Sequence, residues 1–270
     1  MSHFLSLTAA DRAAMLDTIG VESVEELFRD IPAGVRFDGE LDLPPALSEP
    51  EVVAHLERLA AKNVDTTKEL SFLGAGIYDH YVPAVVDAVL QRGEFLTAYT
   101  PYQPELSQGV LQAIFEYQTA ICELTGMDVS NASGYDGTVV AADACYVAKH
   151  ATGRAKVVIT EATNPQVRQV VQTYAPGFGL EVVVVPHERG ATDPEALRAA
   201  AEDAACVIFQ QPNFFGVLES APELAAAANE AEAMPIAHVD PVSLGVLEAP
   251  GVYAVRNSPR CSTASTTAGT

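Results

Sequence analysis

The stretch that decides the fold is Lys156-Val157-Val158-Ile159-Thr160, followed by Asn164-Pro165 and an amphipathic run from Gln166 to Tyr174. The β-branched residues run on without polar alternation, which marks a strand buried on both faces rather than a half-exposed one. Asn164 and Pro165 supply a helix start, a side-chain acceptor followed by a residue already fixed at helical φ. The same unit then repeats in kind. Leu180 to Pro186 is the next strand, and Asp193-Pro194 opens a helix to Asp203. Ala205 to Phe209 is a buried strand, Ser220-Ala221-Pro222-Glu223 caps another helix, and Ile236 to Val239 is a fourth strand. Continuous apolar strands separated by helices of about ten residues predict an α/β fold, a mainly parallel sheet flanked by helices. There is no internal repeat and no dinucleotide-binding glycine fingerprint.

Working outward, the spacing predicts a helix from Gly137 to His150 and a longer one from Pro104 to Leu124, stopped by Gly126. Residues 1–70 read as a helical N-terminal arm. Met15, Ile19, Val24 and Leu27 recur at near-helical spacing, broken by Gly20 and Ile31-Pro32, and Ser48-Glu49-Pro50-Glu51 is a capping box opening a helix to about Ala61. Such an arm packs either on its own domain or on a second subunit. Residues 71–251 form the large α/β domain. After Gly251 the acidic bias vanishes into VYAVRNSPRCSTASTTAGT, rich in Ser, Thr and Ala. Residues 252–270 therefore read as an aberrant tail, expected to be disordered, left by truncation or a shift of reading frame.

The 270 residues are 49% hydrophobic, ample for a sizeable core, with 36 acidic residues against 15 basic ones and a net charge of −21. Nothing on such a chain would neutralise a phosphate backbone or an anionic bilayer, so neither a nucleic acid nor a membrane is expected as a partner. An acidic, lysine-poor surface suits a salt-rich cytoplasm, where self-repulsion is screened. Cys122, Cys145, Cys206 and Cys261 have no CxxC spacing, so neither disulfides nor a zinc site is signalled, and the first three, on helices and a strand, read as buried free thiols. Residues 2–30 lack a basic n-region and apolar core, and no apolar run reaches the ~20 residues of a membrane span. A cytoplasmic protein is the consistent expectation.

Chemistry points first to Tyr99-Thr100-Pro101-Tyr102-Gln103-Pro104-Glu105. Two prolines pre-shape this aromatic loop, which suits either contact with a substrate or partner, or a packed surface turn. Ser133-Gly134-Tyr135-Asp136-Gly137-Thr138 is a small-residue turn ahead of a helix, a place that favours an anion. Asp136 opposes that by its charge and reads better as the N-cap. Asn213 follows Pro212 at a strand end, where open α/β sheets bind ligands, or else serves as a turn residue. His3, His55, His150 and His187 read as surface positions and His238 as a core histidine; no metal-ligand spacing, GxSxG elbow or catalytic Cys motif is present.

The run from Thr97 to Ser133, together with Ser71-Phe72-Leu73-Gly74-Ala75-Gly76, Tyr78, His80, Tyr81 and Pro83, resembles the P-protein of the glycine cleavage system, glycine dehydrogenase (decarboxylating). Gln211-Pro212-Asn213-Phe214-Phe215-Gly216 and Asp240-Pro241-Val242-Ser243-Leu244-Gly245 extend the likeness, which covers Leu5 to about Gly251. It is narrowest to subunit 1 of the two-gene form, which corresponds to the N-terminal half of the fused enzyme. The resemblance implies a fold-type-I, aspartate aminotransferase-like pyridoxal-phosphate (PLP) architecture whose small C-terminal domain is missing here.

In that architecture a strand aspartate pairs with the pyridine nitrogen and a later lysine holds the cofactor. Asp240 stands in the aspartate's place, but the lysines are Lys62, Lys68, Lys149 and Lys156, and none follows Asp240. The resemblance thus implies that no catalytic residue lies in this chain, that PLP is carried by subunit 2, and that the chain is inactive alone. It further implies a lipoylated H-protein as acceptor and a heterotetramer with two of each subunit. Tyr99, Thr100, Tyr102 and Gln103 are the residues expected to reach the partner's cofactor site, or to pack the interface, with Tyr78 and His80 as second choices. Asn213 and Asp240 are cofactor-site residues that the missing lysine leaves vestigial. The alternatives are a stand-alone type-I PLP enzyme, which the missing lysine opposes, and a non-catalytic scaffold, regulatory or inactive truncated homologue.

Overall fold

A computed structural model describes residues 6–37, 39–74, 76–96, 108–254 and 265–266. They fall into two units, residues 1–70 and 71–270. In the first unit, α1 (Ala9–Ile19) begins at a reciprocal Thr8–Asp11 cap and ends at Gly20 in the left-handed region. After two single 3₁₀ turns, α2 (Glu49–Ala60) starts where the Glu51 carboxylate accepts from Ser48 N at 2.8 Å and Ser48 Oγ at 2.6 Å. The capping box read from the sequence is therefore made. No described residue of this unit is buried.

The second unit opens with α3 (Ala84–Leu90), α4 (Gly93–Leu96) and α5 (Gly109–Thr125), the last ending at Gly126. Then come α6 (Gly137–Thr152), β1 (Lys156–Thr160), α7 (Pro165–Phe178) and β2 (Glu181–Val185). A small hairpin of β3 (His187–Glu188) and β4 (Ala191–Thr192) follows, turned by Arg189 and Gly190, both at positive φ. The remaining elements are α8 (Pro194–Ala201), β5 (Ala204–Gln211), α9 (Ala221–Glu230), β6 (Met234–Val239), α10 (Pro250–Tyr253) and β7 (Ser265–Thr266).

The main sheet has the order β2-β1-β5-β6-β7, and every pairing in it is parallel. Period-2 alternation, interrupted at Ala205 by a register shift against β1, sorts its side chains onto two buried faces. Val158, Val207, Phe209 and Val239 pack with Leu197 of α8 and Leu224 of α9. Val157, Ile159, Cys206, Ile208 and Ile236 pack with Cys145 and Ala148 of α6 and with Val167 and Val171 of α7. The result is a three-layer α/β/α core. Phe209, Ile159, Leu197 and Leu224 lie fully inside it, each contributing about 1.5–3 kcal/mol by leaving water.

One backbone contact closes the far end of this unit. A Cβ on Gly251 would sit 2.0 Å from the Gly126 carbonyl oxygen, so only glycine lets α10 meet the end of α5. Of residues 252–270, only Val252–Ala254 and Ser265–Thr266 are described; the last two pair with His238 and Val239.

Candidate functional site

The strand order reverses between β1 and β5, since β1 connects outward to β2 and the chain then returns to β5 on the other side of β1. In open parallel sheets such a switch point leaves a crevice beyond the strand ends, which is where ligands bind. Here the crevice is framed by Thr160–Asn164 after β1, Gln210–Phe214 after β5 and Asp240 after β6. Asn164 donates its backbone N–H to Gln210 Oε1 at 2.8 Å, tying the ends of β1 and β5 together. Its own side chain caps α7 by accepting from Gln166 N at 2.9 Å.

A buried polar cluster holds the loop after β5. Asn213 donates to Gly190 O at 2.6 Å and to Glu219 Oε1 at 2.9 Å, and its Oδ1 accepts from Phe215 N and Val217 N. All its hydrogen-bonding capacity is used within the chain, so the geometry realises the turn-residue reading of Asn213. Glu219, 6% exposed, also accepts from Thr192 N and Thr192 Oγ1, both at 3.0 Å. Three donors satisfy this buried carboxylate without a cation. Sequence reasoning missed Glu219 and Gln210, because a loop glutamate and a strand-end glutamine carry no local sign of their distant partners. The cluster presents Phe214 and Phe215 at the crevice rim, Phe215 edge-on to His187 with ring centroids 4.6 Å apart.

The earlier segment around Gly76 crosses this rim. At φ +79°, Gly76 lies so close to Asn164 that an added Cβ would stand 2.4 Å from Asn164 Nδ2 and 3.7 Å from the Phe214 ring. Two residues on, the Tyr78 hydroxyl is pushed above the usual phenol range by burial and by the Asp240 carboxylate. His80 lies two residues further on, exposed. Asp240 Oδ1 accepts from Val242 N at 3.0 Å, capping the 3₁₀ turn that follows β6. Tyr99, Thr100, Tyr102 and Gln103 lie outside the described residues.

At the start of α6, Ser133 takes φ 105° and donates its backbone N–H to Asn131 Oδ1. A Cβ on Gly134 would collide with Val140, so the turn is shaped for this residue pair. Asp136 Oδ1 accepts from Val139 N at 2.8 Å and Thr138 Oγ1 at 2.6 Å, which holds its carboxyl below the ordinary range. The N-cap reading of Asp136 is realised.

The lysines of the second unit, Lys149 and Lys156, do not approach the crevice. Lys149 donates to Phe178 O and Gly179 O at the C-terminal ends of α6 and α7, and Lys156 donates to Glu202 O at the first residue of β1. Both are half-buried capping groups rather than free surface charges. Both sit at the opposite edge of the sheet, a five-residue strand or ~16 Å from its ligand end. Lys68 pairs with Asp65 at 3.2 Å in the first unit, which also holds Lys62. His187, expected at the surface, is half-buried and accepts from Gly190 N, whereas His238 is a core residue as read, 97% removed from solvent, with a pKa lowered by burial to about 4.

The family model of the glycine cleavage system P-protein matches residues 2–256. The chain belongs to the glycine cleavage system P-protein family. Among curated members, the probable glycine dehydrogenase (decarboxylating) subunit 1 of Anoxybacillus flavithermus is 52% identical over 254 residues, 94% of this chain and 57% of the relative. That of Moorella thermoacetica is 54% identical over 251 residues, 93% and 56%. The crystal structure of an inhibitor-bound glycine decarboxylase (P-protein) superposes with TM-score 0.82 at 43% identity, covering 93% of this chain and 56% of that one. The chain therefore spans a little over half the length of the P-protein relatives it matches. A sphingosine-1-phosphate lyase of Burkholderia pseudomallei, 16% identical with TM-score 0.51, shares the fold alone. The α/β fold expected from the sequence, that of the fold-type-I PLP enzymes, is the one observed.

The residues of this P-protein chain do not fit a covalently held PLP. Its two lysines in the α/β unit stand at the wrong edge of the sheet, and the anion position at the start of α6 already has a carboxylate beside it.

Proposed function

We propose that this chain is the subunit without the cofactor-binding lysine in a two-subunit glycine decarboxylase (glycine dehydrogenase, aminomethyl-transferring). The partner, glycine dehydrogenase subunit 2, carries the PLP and its lysine. The assembly, two of each subunit in the cytoplasm, decarboxylates glycine and passes the aminomethyl group to the lipoyl group of an H-protein. This chain supplies walls rather than reacting groups. Tyr99, Thr100, Tyr102 and Gln103 reach the partner's site, with Tyr78 and His80 behind them, and a tyrosine hydroxyl there bonds phosphate or carboxylate without adding charge.

The observation that carries this reading is the placement of Lys149 and Lys156, both engaged with backbone carbonyls away from the strand ends. Subunit naming in relatives at 52% and 54% identity supports it. The test is exchange of radiolabelled bicarbonate into glycine, with H-protein present. Exchange is expected only when the chain is combined with a lysine-bearing second subunit. Exchange by the chain alone, or at full rate by the second subunit alone, would overturn the proposal.

A further inference from the structure

Lys149 and Lys156, held on backbone carbonyls, are not placed for a covalent link at the crevice, yet a phosphorylated pyridine can be held by hydrogen bonds and stacking alone. Two features of the chain bear on that weaker mode of binding. The first is the turn at the start of α6. The link of residues 153–155 is too short for α6 to do anything but run antiparallel to β1, so its N-terminus lies at the ligand edge of the sheet. There the 16-residue helix presents its positive end, and the carboxylate of Asp136 already takes the Val139 N–H and the Thr138 hydroxyl. A phosphate arriving at this turn would meet that charge and lose those donors.

The second feature is the passage of Gly76 to Tyr78 over the strand ends. Gly76, at φ +79°, packs against the Asn164 side chain after β1, and a Cβ there would stand 2.4 Å from Asn164 Nδ2 and 3.7 Å from the Phe214 ring after β5. Tyr78 then comes into the field of Asp240 after β6. The ends of β1 and β5, which would frame one side of a planar ring, are bridged by the chain's own backbone at Gly76.

We infer that this chain closes its own crevice to PLP, with Asp136 as a built-in anion at the start of α6 and the Gly76–Tyr78 segment as a strap over the ends of β1 and β5. The inference rests on the proposal that the cofactor belongs to the partner subunit, and deepens it: the chain's own crevice is a barred site.

The probe is pyridoxamine phosphate, which needs no lysine, measured by equilibrium dialysis against the full chain. Wild type is expected to show no saturable binding in the millimolar range. The double variant Asp136→Asn/Tyr78→Ala keeps an N-cap, loses the charge and loosens the strap; it is expected to bind one equivalent at least about tenfold tighter than wild type. Saturable one-to-one binding by wild type would overturn the inference, as would a cooperatively melting double variant that binds no better than wild type. Should the double variant fail to melt cooperatively, Asp136→Ser alone is titrated with inorganic phosphate by phosphorus NMR. A gain over wild type is expected there, and no gain overturns the role of Asp136. None of these readouts involves glycine exchange, so failure of the closure and failure of the two-subunit reading remain distinguishable.

Discussion

From Ser6 to Leu124 no described residue is buried, whereas between Thr125 and Ala254 lie two apolar clusters on the two faces of the sheet. Both stretches carry strong local signals. The arm has reciprocal caps at Thr8–Asp11 and Ser48–Glu51, as well formed as anything around the sheet. What it lacks is burial: Leu56, Leu59 and Val64 are all exposed. Caps fix where a helix begins, but helices of 11 and 12 residues without a packed face are marginal in water. Stability therefore resides in the α/β core.

The comparison can be broken most sharply at Phe209, which is fully buried in the central strand β5. Phe209→Ala is expected to cost about 3–5 kcal/mol in chemical denaturation, and a cost below about 1 kcal/mol would place the stabilising core elsewhere. Next comes acid. His238 has a pKa of about 4 when folded against 6.5 in the reference state, so the unfolded chain binds more protons between those values. Stability from this group is whole above pH 6.5 and is lost as the pH falls towards 4, by about 3 kcal/mol in all. His238→Asn should flatten the stability profile across that window; an unchanged slope would show that His238 is not the group responsible. Asp136→Ala removes one cap at the edge of the core and should cost about 1 kcal/mol, while Asp136→Asn should cost much less, measured as the shift in denaturation midpoint. Smallest of all, Leu56→Ala in α2 should change the stability of the isolated chain by no more than about 0.5 kcal/mol. A larger loss would mean that the arm shares in the core's stability.

The strands were legible because their signals are local. Lys156–Thr160 is bounded as read, and Asn164-Pro165 caps α7. The boundaries that slipped have physical reasons. The helix read to Tyr174 continues to Phe178, because Pro176 lies in the last turn and Gly179 ends it at φ 61°. β5 runs to Gln211 rather than Phe209, since Gln210 and Gln211 are polar residues whose partners, Asn164 N and Glu219, lie on other elements. The β3–β4 hairpin is two residues a side, too short for any periodicity, and only Gly190 hints at it. At the candidate site, the N-cap role of Asp136 could be read from spacing, and the want of a lysine after Asp240 from the family resemblance. The approach of Gly76 to Asn164 could not, because it joins residues far apart in sequence through a fold that spacing does not reveal.

The central claim is that this chain never carries the cofactor lysine, and borohydride trapping tests it most directly. The chain is incubated with PLP, alone and with a lysine-bearing second subunit, then reduced and mapped by peptide mass. The account predicts one stoichiometric pyridoxyl-lysine on the second subunit and only sparse, scattered labelling of Lys62, Lys68, Lys149 and Lys156. A stoichiometric adduct on any one of those four would contradict it.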